Sequence, residues 1–146
     1  MSTAQAESRD VSPRDMPREQ VIGLIRASGA QKIKIAVADI DGVLRGKYIH
    51  KDKFLSAMEG GLGFCNVIFG WDCNDLAYDN AAYTGWHSGY PDAQARLDLG
   101  TYRTIPWESN LPFFLGDFED GLGQPLPICP RQLLKRVIAK ASSLGL

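Results

Sequence analysis

Two β-prone runs joined by an Asp-Gly pair constrain this chain more than any other feature. In "QKIKIAVADI", residues 31–40, Ile33, Ile35 and Val37 recur at every second position, with Lys32 and Lys34 alternating against them. That period puts successive side chains on opposite faces of a strand. "VLRGKYIH", residues 43–50, follows as a second run. Asp41-Gly42 stands between the two. A DG pair between strands predicts a hairpin with a type I′ turn, in which both central residues take positive φ.

The remaining segments predict a mixed α/β pattern. "PREQVIGLIRAS", residues 17–28, is expected to be a helix with Pro17 at its first position, Val21, Leu24 and Ile25 on one face and Gly29 as its stop. "KDKFLSAMEGG" predicts a short helix capped by Asp52, with Phe54, Leu55 and Met58 on one face and Gly60-Gly61 at its end. "FCNVIFGW", residues 64–71, is a third strand candidate. Residues 72–110 are rich in Gly, Asn, Asp and aromatics and are expected to form long loops with short strands, one near "TYRTIPW". Loops of that length in a compact domain are usually functional, and the aromatic content argues against disorder. "LPFFLGDFED" predicts a further strand running into the turn "EDGLGQPLP". "CPRQLLKRVIAKASSLGL" predicts an amphipathic helix, with Pro130 in its first turn and Leu133, Leu134, Val137, Ile138 and Ala141 on its apolar face. Little of the chain is left to cover that face, which points to a longer parent. No internal repeat is visible.

The 146 residues fit one domain, or one domain plus part of another. The formal net charge of −1 gives no electrostatic case for nucleic acid or an anionic membrane. No apolar run approaches the ~20 residues of a membrane span. The first segment, residues 1–16, lacks the apolar stretch of a secretory signal and is expected to be a disordered tail. The three cysteines, Cys65, Cys73 and Cys129, form neither a disulfide framework nor a CxxC pair, which fits a reducing cytoplasm. His50 and His87 have no zinc-ligand spacing around them.

Two family resemblances compete for the hairpin. "DIDGVL" resembles the first motif of the haloacid dehalogenase phosphatases, in which the positions of Asp39 and Asp41 would be nucleophile and acid/base. "GDFED", residues 116–120, resembles the acidic metal motif of the same family, in the right order. That family also needs a lysine, sometimes an arginine, between the motifs; no lysine lies between Lys53 and Lys135, and Arg96 and Arg103 could substitute only in principle. It needs several βαβ units as well, and too few helix-period segments separate the motifs. Hairpin chemistry accounts for Asp41-Gly42 without catalysis.

The second resemblance covers nearly everything from Lys32 onward. "VADIDGVLRGKYIHKDKF" resembles the first hairpin of glutamine synthetase-like proteins, including the γ-glutamyl-polyamine ligase branch, where a D-x-x-G-x-x-R-G-K pattern leads into a helix. "PDAQARLDLGTYRTIPW" is similar to the family's D-x-x-T-x-x-x-P-W segment. "GDFEDGLGQPLPICPRQLLKRV" resembles the join to the catalytic domain, with Pro130 and Arg131 opening its first helix.

This resemblance implies an α+β chain. Residues 17–123 would be a β-grasp domain, a small mixed sheet with a packed helix, and residues 127–146 the truncated start of the catalytic domain. It implies a parent that joins glutamate to ammonia or an amine through a γ-glutamyl phosphate, using ATP with Mg or Mn held outside this stretch. The parent would be a cytoplasmic, ring-shaped homo-oligomer whose neighbouring subunits receive this domain, and the chain alone would be inactive. Neither a cofactor nor a metal site is implied within this stretch. Asp72, in "IFGWDCND", matches the position of the ammonium-binding carboxylate, although Cys73-Asn74-Asp75 replaces the family's Gly-Ser-Ser. A free-standing β-grasp binding or assembly module is the alternative, and the phosphatase is third. The plain expectations for the other residues are that Asp39 bonds its own hairpin and that Arg45 and Lys47 form a solvated strand face or a subunit contact. Trp71, Trp86 and Trp107 are expected in core or interface, and Cys73 as an ordinary small residue.

Overall fold

The computed structural model describes residues 16–146; the tail expected over residues 1–16 lies outside it except for Met16, which packs against the core. Three helices, α1 (Arg18–Ala27), α2 (Lys51–Gly60) and α3 (Pro130–Ser143), accompany five strands. The strands are β1 (Lys32–Ala38), β2 (Leu44–His50), β3 (Leu62–Cys65), β4 (Asp92–Ile105) and β5 (Leu111–Glu119). They form one sheet in the order β2-β1-β5-β4-β3. Only the central β1–β5 pair is parallel; the other three pairs are antiparallel. This is a β-grasp arrangement, as the resemblance implies, and not the doubly wound parallel sheet that the phosphatase motif requires. Among the described residues no helix is long and apolar enough to cross a membrane.

The alternation in β1 explains the layering. Ile33, Ile35 and Val37 all turn to one face, where they meet Val21 and Ile25 of α1, Phe54 of α2 and Phe114 of β5 in one core. Phe54 and Phe114 stack with ring centroids 4.7 Å apart. Burying side chains of this size contributes roughly 1.5–3 kcal/mol each. Residues of opposite parity, Ala36 and Phe113, form a small second cluster with Ile105. Lys34 on that side donates to Glu108 Oε1 at 2.6 Å, and the Tyr48 hydroxyl donates to Glu108 Oε2 at 2.7 Å.

Several local expectations are corrected. Val21 and Ile25 are fully buried, but Leu24 is 40% exposed, so the apolar face of α1 is narrower than its periodicity suggests. Pro17 caps α1 from outside its first turn. The cap of α2 is His50, whose Nδ1 accepts from the Asp52 backbone N–H, and not Asp52 itself. The strand expected over 64–71 is only the end of β3, followed by a 3-10 turn over Asn66–Phe69. The largest difference is β4, a 14-residue strand where long loops with short strands are expected. Pairing with β5 on one side and β3 on the other overrides its weak local propensity.

The β1–β2 hairpin forms, but its turn is not type I′. Gly42 has φ 81, whereas Asp41 is not among the positive-φ residues. The Asp39 N–H donates to Val43 O and the Gly42 N–H to Asp39 O. That leaves a three-residue loop ending in a left-handed glycine, the other common hairpin closure. Gly42→Val should lower stability by about 1–3 kcal/mol, because a β-branched side chain resists this φ. Space is not the cause, since an added Cβ there meets nothing within 4 Å. Asp41→Asn should shift a urea midpoint by less than about 0.5 kcal/mol, as is usual for an exposed position.

Candidate functional site: the Asp72 loop and its neighbours

The same loop occurs three times. Asp39, Asp72 and Asp120 each donate their N–H to the carbonyl four residues on and accept at their own carbonyl from the N–H three residues on. In each, the carboxylate Oδ1 also accepts the N–H groups two and four residues on: Asp41 and Val43, Asn74 and Leu76, Leu122 and Gln124. In each, the fourth residue is left-handed: Gly42 at φ 81, Asp75 at φ 67 and Gly123 at φ 75. An Asx side chain bonding backbone two residues on is the general reason aspartate opens such turns.

The first two copies lie side by side. The Ile40 N–H of the Asp39 loop donates to Ile68 O in the turn that leads to Asp72. Arg45, on β2, joins them. Its Nε donates to Asp39 Oδ2 at 2.7 Å, one terminal nitrogen to the Asp75 carboxylate, and the other to the Asp72 carbonyl at 3.2 Å. Its guanidinium lies 5.0 Å from the Trp71 ring centroid. Asp39 is completely buried, and both of its carboxylate oxygens are used. The expectation that Asp39 bonds its own hairpin therefore holds. Arg45 is not a solvated residue. Nor is Lys47, which reaches across to Gly63 O at 3.0 Å and lies over the Phe64 ring. Burial pushes the Lys47 ammonium below its ordinary pKa, and neighbouring Lys53 adds to this.

Asp72 stands at the partly exposed rim of this assembly. The Leu76 N–H, helped by the backbone and side chain of Asn74 and by Arg45, holds its carboxyl below the ordinary carboxylate range against a smaller effect of burial. It is therefore an anion throughout the neutral range, suited to hold a cation and weak as a base. The backbone bonds of the loop use Oδ1 and leave Oδ2 free of backbone donors. Tyr78 lies nearby; burial first, then the charges of Asp41 and Asp72, keeps its phenol protonated. Leu76, whose N–H binds the carboxylate, is 66% exposed.

A second charged group fastens α3. Arg131 bridges Asp117 Oδ2 at 2.6 Å and Asp98 Oδ2 at 2.7 Å, and Lys135 reaches the same two carboxylates. Within "GDFED", then, Asp117 pairs with cations and Asp120 closes a loop. Beyond these anchors Leu133, Leu134, Val137 and Ile138 remain half exposed. Burial alone would raise the Asp98 carboxyl, but hydrogen bonds from Arg131 and Lys135 outweigh it and hold the group low. A depressed carboxyl stabilises the fold above its unfolded pKa, near 3.9, and the contribution disappears as pH falls through the lower folded value. Acid titration below about pH 4 should thus release α3, read as faster amide exchange over 131–143 at pH values where the β1 and β5 amides keep their protection.

The other singled-out residues are dispersed. Trp86 and Trp107 are exposed and lie outside the core, Trp86 meeting Tyr90 edge-on at 5.4 Å. All three cysteines are unpaired, with Cys73 exposed. Sequence reasoning missed Arg45 and Asp75. The D-x-x-G-x spacing at Asp39 and Asp120, matched at Asp72 with Asp75 in the glycine position, was a signal available for the loops.

No family model matches the chain. Among curated proteins it is 58% identical over 120 residues to type-1 glutamine synthetase 2 of Dictyostelium discoideum, covering 82% of this chain and 23% of that protein. It is 39% identical over 127 residues to glutamate–isopropylamine ligase of a Pseudomonas species, covering 86% and 28%. Among solved structures the ADP complex of GmaS superposes with a TM-score of 0.61 at 23% identity, covering 84% of this chain and 25% of that one; at that identity the match speaks for the fold. The chain thus spans about a quarter of the length of the curated relatives it matches. Its motifs, its sheet and these relatives agree: the chain belongs to the glutamine synthetase family and corresponds to the N-terminal β-grasp region of its members.

Proposed function

We propose that this chain supplies the amine-binding carboxylate of an ATP-dependent ligase that joins glutamate to ammonia or a small amine. The observation that carries the reading is Asp72, an anion at the protein surface, held by backbone donors on one oxygen and free of them on the other. A protonated amine would be held at Oδ2. On losing a proton to water the amine becomes a nucleophile; its nitrogen then attacks the γ-glutamyl phosphate, forming the amide C–N bond as the acyl C–O bond breaks and phosphate leaves. Asp72 acts here first as an anchor, because its depressed pKa makes it a poor resting acceptor. The exposed Leu76 side chain beside it suits an amine with a small alkyl group, in keeping with the isopropylamine ligase among the relatives.

ATP and Mg or Mn belong, in this reading, to the catalytic domain that makes up most of the relatives' length. Among the described residues no three or more His, Cys, Asp or Glu side chains group together. The reading places the full protein in the cytoplasm as a ring of identical subunits. The half-exposed face of α3 would be covered by the catalytic domain, and the Asp72 loop would complete a neighbour's site.

The test is a chimera in which residues 1–146 replace the region they match in the Dictyostelium protein. It should form γ-glutamyl amides from glutamate, ATP and an amine, while the 146-residue chain alone hydrolyses neither ATP nor p-nitrophenyl phosphate. Metal-dependent hydrolysis of the phosphate ester by the chain alone, lost in Asp39→Asn, would overturn the reading in favour of a phosphatase.

A further inference from the structure

The three loops differ at one position, and the difference has a physical cost. The left-handed residue is glycine in the Asp39 and Asp120 loops but Asp75 in the Asp72 loop. A side chain there is strained where glycine is not, although aspartate tolerates this region better than most residues. The Asp72 loop is also the copy set apart from the five-stranded sheet, its base closed by the Trp71–Ala77 bridge and by the Tyr78 N–H donating to Gly70 O. On both counts it should be the least ordered of the three.

What offsets this is Arg45. Asp75 spends its carboxylate on that guanidinium, which also donates to the Asp72 carbonyl and is itself fixed by the buried Asp39 carboxylate and the Trp71 ring. The strained residue therefore supplies a tie that glycine cannot. Arg45 spans from a fully buried anion to the exposed loop, so the rigid hairpin sets the position of the loop.

We infer that Arg45 and Asp75 form a positioning clamp, anchored on Asp39, that holds the Asp72 carboxylate in a single orientation. The functional meaning of the clamp rests on the reading of Asp72 as the amine anchor; its existence does not. Arg45 and Asp75 are positioning residues and touch no substrate.

The decisive variant is Asp75→Gly in the 146-residue chain. If Asp75 were only a turn residue, glycine would relieve strain and strengthen the loop. If it is half of a clamp, the loop loosens although the strain is gone. We expect amide exchange at Asn74 and Leu76 to rise by about tenfold or more, while the amides of Ile35 and Phe114 in the sheet are unchanged. The Asp72 carboxyl, followed by carbon NMR, should titrate closer to its ordinary value, since the Leu76 N–H no longer holds it as firmly. Arg45→Lys is the second variant. Lysine keeps a cation on Asp39 but cannot fork to three acceptors, so the sheet should keep its protection while Asn74 and Leu76 lose theirs. Unchanged or stronger protection of the loop in Asp75→Gly would overturn the clamp, as would uniform loosening of the whole sheet in Arg45→Lys. Neither result bears on whether Asp72 binds an amine, which activity of the chimera decides separately.

Discussion

Asp39→Ala is expected to lower the unfolding free energy of the 146-residue chain by about 3–5 kcal/mol, the usual cost of removing one partner of a buried ion pair. The side chain is fully buried and both oxygens are committed, Oδ1 to the N–H groups of Asp41 and Val43 and Oδ2 to Arg45 Nε. Alanine leaves two backbone donors without an acceptor and a guanidinium without its inner anion. It also releases the hairpin that joins β2 to β1, whose Ile33, Ile35 and Val37 lie in the core. Asp39→Asn should cost less, because its amide oxygen can still accept the two backbone N–H groups while its NH2 group faces the Arg45 donor. Urea unfolding of the three proteins side by side measures this. A loss below about 1 kcal/mol for alanine would mean that the buried pair is not what fixes the hairpin.

The hairpin was legible from sequence because its signals are local: alternation at Ile33, Ile35 and Val37, then a DG pair. The turn type was not. The pair alone does not reveal that Asp39 reaches back into its own loop, and that reach sets a three-residue closure with only Gly42 left-handed. Strand β4 was hidden for a different reason. Its sequence "DAQARLDLGTYRTI" mixes small, charged and apolar residues, and its ladder is interrupted between Asp98 and Arg103. What makes it a strand is pairing with β5, which begins six residues beyond its end, and with β3, far earlier in the chain. The site divides along the same line. Asp72 came from the resemblance of "IFGWDCND" to a family segment, whereas its connection to Arg45 spans 27 residues of sequence and exists only after folding. Arg45 and Lys47 read as a solvated strand face or a subunit contact because nothing in the sequence places beside them the loops and the β3 backbone that their side chains reach.

Asp72→Asn in the chimera with the Dictyostelium relative tests the amine site most directly. Asparagine keeps the shape of aspartate and can keep the Oδ1 bonds to Asn74 and Leu76, so the loop should stay in place. It removes the charge that would hold a protonated amine. Amide formation should fall by about 10²-fold, the scale of losing a hydrogen bond between charged groups worth up to ~3 kcal/mol. Glutamate-dependent ATP binding, which does not need the amine, should be largely retained. The parental carboxyl is held below the ordinary range, so it stays ionised throughout the neutral and alkaline range and its own titration adds no step there. The defect should therefore shrink steadily as pH rises and more free amine is present. Mixing the variant with a chimera disabled in the catalytic domain should restore part of the activity, since the loop would act on a neighbouring subunit. The single measurement is the rate of γ-glutamyl amide formation by Asp72→Asn across a series of amines at neutral pH. A fall of about 10²-fold that shrinks with rising pH is the predicted result; the parental rate with every amine would show that Asp72 is a loop acid and contradict the assignment of the site.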